Sequence, residues 1–235
     1  MSSENTIVEC VFDIQFESTS VAESFISTIA QVDGFEQITK LPLHQVPDMI
    51  RKNDPNLKMQ PLYEIKSLEN NDYKILLGDY TIGMAIDSDY TSWTNSLFPQ
   101  IKKIFTKILE SKKITKINRM GLRYVDFLES ENIFKTGKIN VNINASENNS
   151  KKIFLRIEDS IEDIQYNKTV ANSIKYPKYE QEGSIIDIVT SFENYELNVA
   201  LNIEKIFSDI EKLHRVNKEK FKEVISDEYI AKYGI

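Results

Sequence analysis

The chain opens on an alternation. Val8, Cys10, Phe12, Ile14 and Phe16 are apolar, while Glu9, Asp13 and Gln15 between them are polar. This is the period-two pattern of a strand with one face in a core. Val11 breaks the polar side, so that face is expected to be partly covered too. A helix should follow. Ser20 with Glu23 has the form of a capping box, Val21, Phe25, Ile29 and Val32 fall at helical spacing, and Gly34 stops the run. Residues 39–58 carry Pro42, Pro47 and Pro55 and read as a loop, with one helical turn from Pro47 to Lys52. Three short strands come next: Pro61–Leu68, Tyr73–Leu77 and Thr81–Ile86. Asn70-Asn71-Asp72 and Gly78-Asp79 mark the turns between them. Trp93, Leu97, Ile101, Phe105 and Leu109 then set a helical stripe over Thr91–Ser111. Pro99 lies inside it and should kink the helix or mark its true start.

The second half reads similarly. Ile117–Leu128 is a strand with Gly121 at its middle, and Glu131–Lys135 is a short helix. Ile139–Ile143, Lys152–Glu158, Glu162–Ala171 and Ser184–Phe192 are strands, with a turn at Asn148-Asn149-Ser150 and a loop over Ile174–Gly183. The last helix is expected over Tyr195–Ser226, about 45 Å if continuous. Its stripe is Ile203, Ile206, Ile210, Leu213, Asn217, Phe221 and Val224. Asn217 is a polar residue where the core should continue. Either the helix leaves the sheet there or its last turns meet something other than this chain.

Strand, helix, three strands and a long helix thus occur twice. Ile101, Lys103, Ile104, Phe105 and Ile108 match Ile203, Lys205, Ile206, Phe207 and Ile210 at constant offset. Chance likeness between two amphipathic helices accounts for the match equally well. The expectation is one α+β domain, residues 1–235, with half-units 1–112 and 113–235. A duplicated β-α-β-β-β-α unit would make one antiparallel sheet with the long helices on one face. That is the general plan of TATA-binding-protein-like folds, an analogy of topology that carries no function.

Two segments, Ile7-Val8-Glu9-Cys10-Val11-Phe12-Asp13-Ile14-Gln15-Phe16 and Gly121-Leu122-Arg123-Tyr124-Val125, resemble motifs of a sporadically distributed, uncharacterised prokaryotic protein family. Its members share an EVVF-type first strand, a GLRY-type central strand and a C-terminal helix matched here by Leu213-His214, Phe221 and Ile225-Ser226-Asp227-Glu228. Asp187 stands where members carry an acid. The likeness runs from Ile7 to Gly234. Cys10 departs from the small or aliphatic residue members carry, at an interior-facing position. The family transfers no activity. Its patchy distribution resembles that of mobile-element or phage-defence genes, which implies a phage-defence or toxin–antitoxin setting.

Composition narrows the classes. The chain has 235 residues, 41% hydrophobic and 28% charged, which suits a globular core large enough to need no staples. Gly 7 and Pro 6 argue against long flexible linkers. A net charge of −7 disfavours a nucleic-acid surface or an anionic membrane. Cys10 is the single cysteine, so no internal disulfide forms and a reducing, cytoplasmic setting is expected. Met1–Glu9 has no signal-peptide pattern, and no run approaches the length of a membrane span.

The candidate site is the strand Arg119-Met120-Gly121-Leu122-Arg123-Tyr124. Period two puts Arg119, Gly121 and Arg123 on one face and Met120, Leu122 and Tyr124 on the other. Gly121 leaves space between two guanidiniums, which suit phosphate and carboxylate. An anionic ligand or a partner carboxylate would fit there. The alternative is that each arginine pairs with an acid on a neighbouring strand, from Asp13, Glu158 or Asp187. The other candidates are weaker. His214, among Arg215, Asn217 and Lys218, reads as a partly exposed helix residue, and His44 has no metal-ligand spacing around it. Glu158, Asp159, Glu162 and Asp163 around Ser160 read as a solvated hairpin before they read as a metal site. Trp93 reads as core. No catalytic signature, cofactor motif or metal motif stands out. The leading expectation is a non-catalytic module that binds a protein partner or itself as a homodimer. The alternative is a nucleotide- or nucleic-acid-binding protein that grips phosphate with Arg119 and Arg123.

Overall fold

A computed structural model of the chain describes residues 6–32, 34–67, 73–87, 90–143, 146–147, 152–198 and 202–233. The turns expected at Asn70-Asn71-Asp72 and Asn148-Asn149-Ser150 lie outside them. Strand β1 (Ile7–Ser18) is followed by helix α1 (Ala22–Ile29), which begins later than the capping box implied. Val21 occupies the cap and has no side-chain acceptor to offer, while the Glu23 carboxylate accepts the Tyr63 hydroxyl at 2.6 Å. An unexpected strand, β2 (Phe35–Lys40), runs into the start of the expected loop, which then holds a 3-10 turn at Pro42–Gln45, helix α2 (Asp48–Asn53) where one helical turn was expected, and the further short helix α3 (Pro55–Lys58). Strands β3 (Tyr63–Ser67), β4 (Tyr73–Leu77) and β5 (Thr81–Ile86) follow. A π-helical turn at Trp93–Leu97 leads into α4 (Phe98–Glu110). Pro99 therefore sits in the first helical turn, where its missing N–H costs no bond.

The second half begins with the long strand β6 (Ile114–Glu129), the short helix α5 (Ile133–Thr136) and a small hairpin, β7 (Asn142–Ile143) with β8 (Ser146–Glu147). Strands β9 (Phe154–Ile161), β10 (Ile164–Lys175) and β11 (Glu182–Phe192) come next. The segment expected to open the last helix instead forms β12 (Leu197–Asn198), and α6 runs over Ile203–Lys222 before α7 (Asp227–Tyr233). β12 pairs with Lys116 and Ile117, just beyond Met120, where β11 stops covering β6. A backbone edge left open there would carry unpaired polar groups.

Ten strands form one antiparallel sheet in the order β2-β3-β4-β5-β1-β6-β11-β10-β9, with β12 also on β6. Outward from the β1–β6 seam the order is β5, β4, β3 on one side and β11, β10, β9 on the other. That is the symmetric arrangement a repeated unit would make, with β2 added at one margin. The fold is α+β, with α4 and α6 as the long helices on one face. Phe12 of β1 meets Phe105 of α4 edge-on at 4.9 Å within the main core. A second cluster joins Ile133, Val170, Ile186 and Ile188 to Phe221, Val224 and Tyr229. Asn217 does not turn α6 away from the sheet. It is 2% exposed, and its amide donates to the Ile188 carbonyl at 2.9 Å and the Leu122 carbonyl at 3.4 Å. One turn earlier the Thr190 hydroxyl lies 3.2 Å from the Leu213 carbonyl. Among the described residues, no helix is long and apolar enough to cross a membrane.

Candidate functional site

Arg119, Gly121 and Arg123 lie on the sheet face opposite the long helices, on the central strand β6. Gly121 and Arg123 are flanked by β1 and β11, and Arg119 by β1 and the chain just past the end of β11. Arg119 donates from Nη1 to Asp13 at 2.7 Å and from Nε to Glu193 at 2.8 Å. Arg123 makes a two-pronged contact with Asp187, both bonds 2.9 Å, and also reaches Glu9 at 3.2 Å. Asp13 is the register partner of Gly121, while Glu9 and Asp187 are both partners of Val125. Both arginines therefore lean the same way, each to an acid opposite the residue two places further along β6.

This lean explains Gly121. A Cβ there would lie 2.7 Å from the Arg119 Nη1 and 2.9 Å from an Asp13 carboxylate oxygen. The space over the glycine is filled by the arginine's own guanidinium and its partner acid. Two guanidiniums stand among four carboxylates, so the row is acidic on balance. Burial pushes the Asp13 carboxyl above its ordinary range, with Arg119 opposing the shift. Hydrogen bonding to Asp187 raises Arg123 further. Glu158 is not a partner of either arginine. It pairs with Arg156 on its own strand at 2.6 Å.

Either side of this row the face differs. Toward one end, Tyr176 and Tyr179 fold over Phe127, with Val8 and Val125 beside it. A register shift between Ile7 and Glu9 turns Val8 to this side. Toward the other end is a shallow cleft of about 260 Å³ lined by Arg119, Glu158, Gln165, Asn167, Ser191 and Glu193, among others. The Asn167 Oδ1 is buried without a donor. The acids Glu162 and Asp163 end the β9–β10 hairpin and flank Lys212 of α6, each at 3.6 Å.

Tyr124 belongs to the opposite, helix-covered side, separate from the arginines. There it joins a group that sequence reasoning missed. His214 of α6 stacks on Trp93 with ring centroids 4.1 Å apart and planes 8° from parallel, and the Tyr124 hydroxyl lies 3.3 Å from its Nδ1. Trp93 also stacks on Phe98, and Tyr90 meets Tyr124 edge-on at 5.7 Å. His214 is thus partly exposed, as expected, yet packed among aromatic rings; of its polar neighbours Arg215 and Lys218 are exposed, while Asn217 is itself buried. Its place four residues after Ile210 was the available signal. Burial pushes the imidazole down to about 4, so it is neutral at physiological pH. Cys10, the register partner of Tyr124, is fully buried, and burial pushes its thiol well up, so it stays protonated and is no nucleophile. Asp126, two residues along, is 5% exposed and raised to about 7 by burial, while the Thr6 hydroxyl donates to it at 2.7 Å.

The chain matches no protein-family profile, no curated protein and no solved structure.

Proposed function

We propose that this chain is a non-catalytic interaction module that engages a protein partner through the sheet face opposite its long helices. The observation that carries the reading is the closed row of Arg119 and Arg123. Each guanidinium is taken up by two carboxylates of this chain. A phosphate placed there would displace acids and then face them as like charges, which is unfavourable at such short range. The neighbouring cleft is lined by the carboxylates of Glu158 and Glu193, so it too suits a donor-bearing surface better than an anion. A non-obligate interface is about as polar as ordinary surface and is enriched in aromatic residues and arginine.

The test pairs two measurements. Affinity capture with the purified chain, followed by light scattering, should give a complex of defined stoichiometry. Replacing Asn167 or Glu193 with lysine should weaken it without changing the fold. Thermal shift against a panel of nucleotides and phosphometabolites should give no response. A clear rise in Tm with a phosphorylated ligand, lost when Arg119 and Arg123 are both changed to alanine, would overturn the reading in favour of an anion-binding protein.

A further inference from the structure

The sheet has two margins, and they are built differently. At one, β2 has six residues, a register shift between Phe35 and Gln37, and Lys40 at its end. Short length, a bulge and lysine are the devices by which natural sheets keep an edge from pairing. At the other margin β9 has none of them. It runs eight residues, Phe154–Ile161, without proline, glycine or lysine. It pairs with β10 in unbroken register from Phe154 opposite Ala171 to Ile161 opposite Ile164. Among the described residues no strand pairs with its outer side. Phe154 at its start is 69% exposed.

The side chains of β9 have an internal order. Phe154, Arg156, Glu158 and Ser160 share the face of the arginine row, because Arg156 is opposite Thr169, which is in turn opposite Asp187. Leu155, Ile157, Asp159 and Ile161 share the helix side, where Ile161 packs against the main core and Asp159 accepts from Tyr166. Arg156 and Glu158 are 56% and 65% exposed, and their described ion pair is with each other.

We infer that β9 pairs antiparallel with β9 of a second copy of this chain, about a two-fold axis at Ile157, joining two sheets into one. The charge pattern selects that register. With the axis at Ile157, Arg156 of each copy stands opposite Glu158 of the other, Leu155 opposite Asp159, and Phe154 opposite Ser160. Two arginines and two glutamates then alternate around a ring, and Ile157 meets its own copy on the helix side. Moving the axis to Arg156 sets arginine against arginine, and moving it to Glu158 sets glutamate against glutamate. Opposite charges across a strand pair stabilise it and like charges oppose it. An isologous contact of this kind closes on itself and gives a dimer without further growth.

This inference rests on the interaction-module reading and adds, at the margin of the sheet, a second copy of the chain as a partner. The test is light scattering on the full chain over a wide concentration range, with circular dichroism and Tm as fold controls. The wild type should dimerise. Arg156→Glu should weaken the dimer roughly 10- to 100-fold, as both favourable Arg–Glu cross-strand contacts become repulsive. Glu158→Arg should do the same, and the double exchange R156E/E158R should restore dimerisation, because the ring is rebuilt with reversed sign. Folded single variants whose combination stays monomeric would refute the register. A dimer indifferent to all three changes would overturn the β9 contact and leave the module reading with another surface. A wild type monomeric at every concentration would overturn the dimer, and only failure to capture any partner as well would end the module reading.

Discussion

Asp126→Asn isolates one buried charge and gives a sign that can be checked. The Asp126 carboxyl is raised to about 7 by burial, against 3.8 when free, and its described hydrogen bond is from the Thr6 hydroxyl. Between those two values the folded chain holds a proton that the unfolded chain has released. Stability therefore falls as pH rises from about 4 to about 7, then levels off once both states are ionised. That rise corresponds to about 4 kcal/mol of disfavour for the charged form. An amide is neutral throughout, so the variant lacks this slope. It brings an extra donor that needs a partner, at a cost of about 1–2 kcal/mol. Asp126→Asn should thus be as stable as the wild type or slightly less so at pH 5, and more stable by about 2 kcal/mol at pH 8. Urea unfolding of both proteins at several pH values measures this, because all other titrating groups cancel in the difference. Parallel stability curves would show that the carboxylate is solvated in the fold and would refute the reasoning.

Three further outcomes are expected. Gly121→Ala should cost about 1 kcal/mol, because its Cβ displaces the Arg119 guanidinium from Asp13, and the cost should shrink in an Arg119→Ala background, as a double-mutant cycle on urea midpoints will read. Asn217→Ala should cost about 1–3 kcal/mol through the lost bonds to Ile188 and Leu122, whereas a neutral result would mean that α6 does not depend on them. Trp93 is the only tryptophan, so its emission reports on the stacked His214. It should titrate near pH 4 instead of near 6.5, and this transition should vanish in His214→Phe. Because His214 is held below its ordinary value, its contribution is complete above about 6.5 and fades as pH falls through about 4, the opposite slope to Asp126.

The parts of the fold legible in sequence are those where burial alternates cleanly. Cys10, Phe12, Ile14 and Phe16 are all buried, and so are Ile101, Phe105 and Leu109, so period two and the helical stripe reported the truth. β2 was hidden because Phe35 is its one buried residue and Ile38 is 46% exposed: an edge strand has little core to declare itself with. β12 was hidden because its two residues, Leu197–Asn198, are too few to show an alternation, while the open backbone of β6 that captures the segment is a fact of three dimensions. At the site, Asp13 and Asp187 were readable as partners for the arginines because all lie on outward-facing strand positions. Glu9 and Glu193 depend on a bulge and a strand end, which no periodicity displays. The aromatic group around His214 joins segments about 120 residues apart and left only a helical spacing as its trace.

The β1–β6 seam has a kinetic consequence. It joins Ile7–Ser18 to Ile114–Asp126, so the two central strands are separated by most of the first half of the chain. Pairings this distant form late and slowly, because a long loop must close before they are rewarded. Until then each half presents a long inner strand, apolar on one side and unpaired along one edge. At high concentration during refolding, β1 of one molecule can meet β6 of another before its own. Refolding yield should therefore fall with protein concentration, and the recovered oligomers should hold exchanged halves, with native pairing everywhere except in which chain supplies each side of the seam.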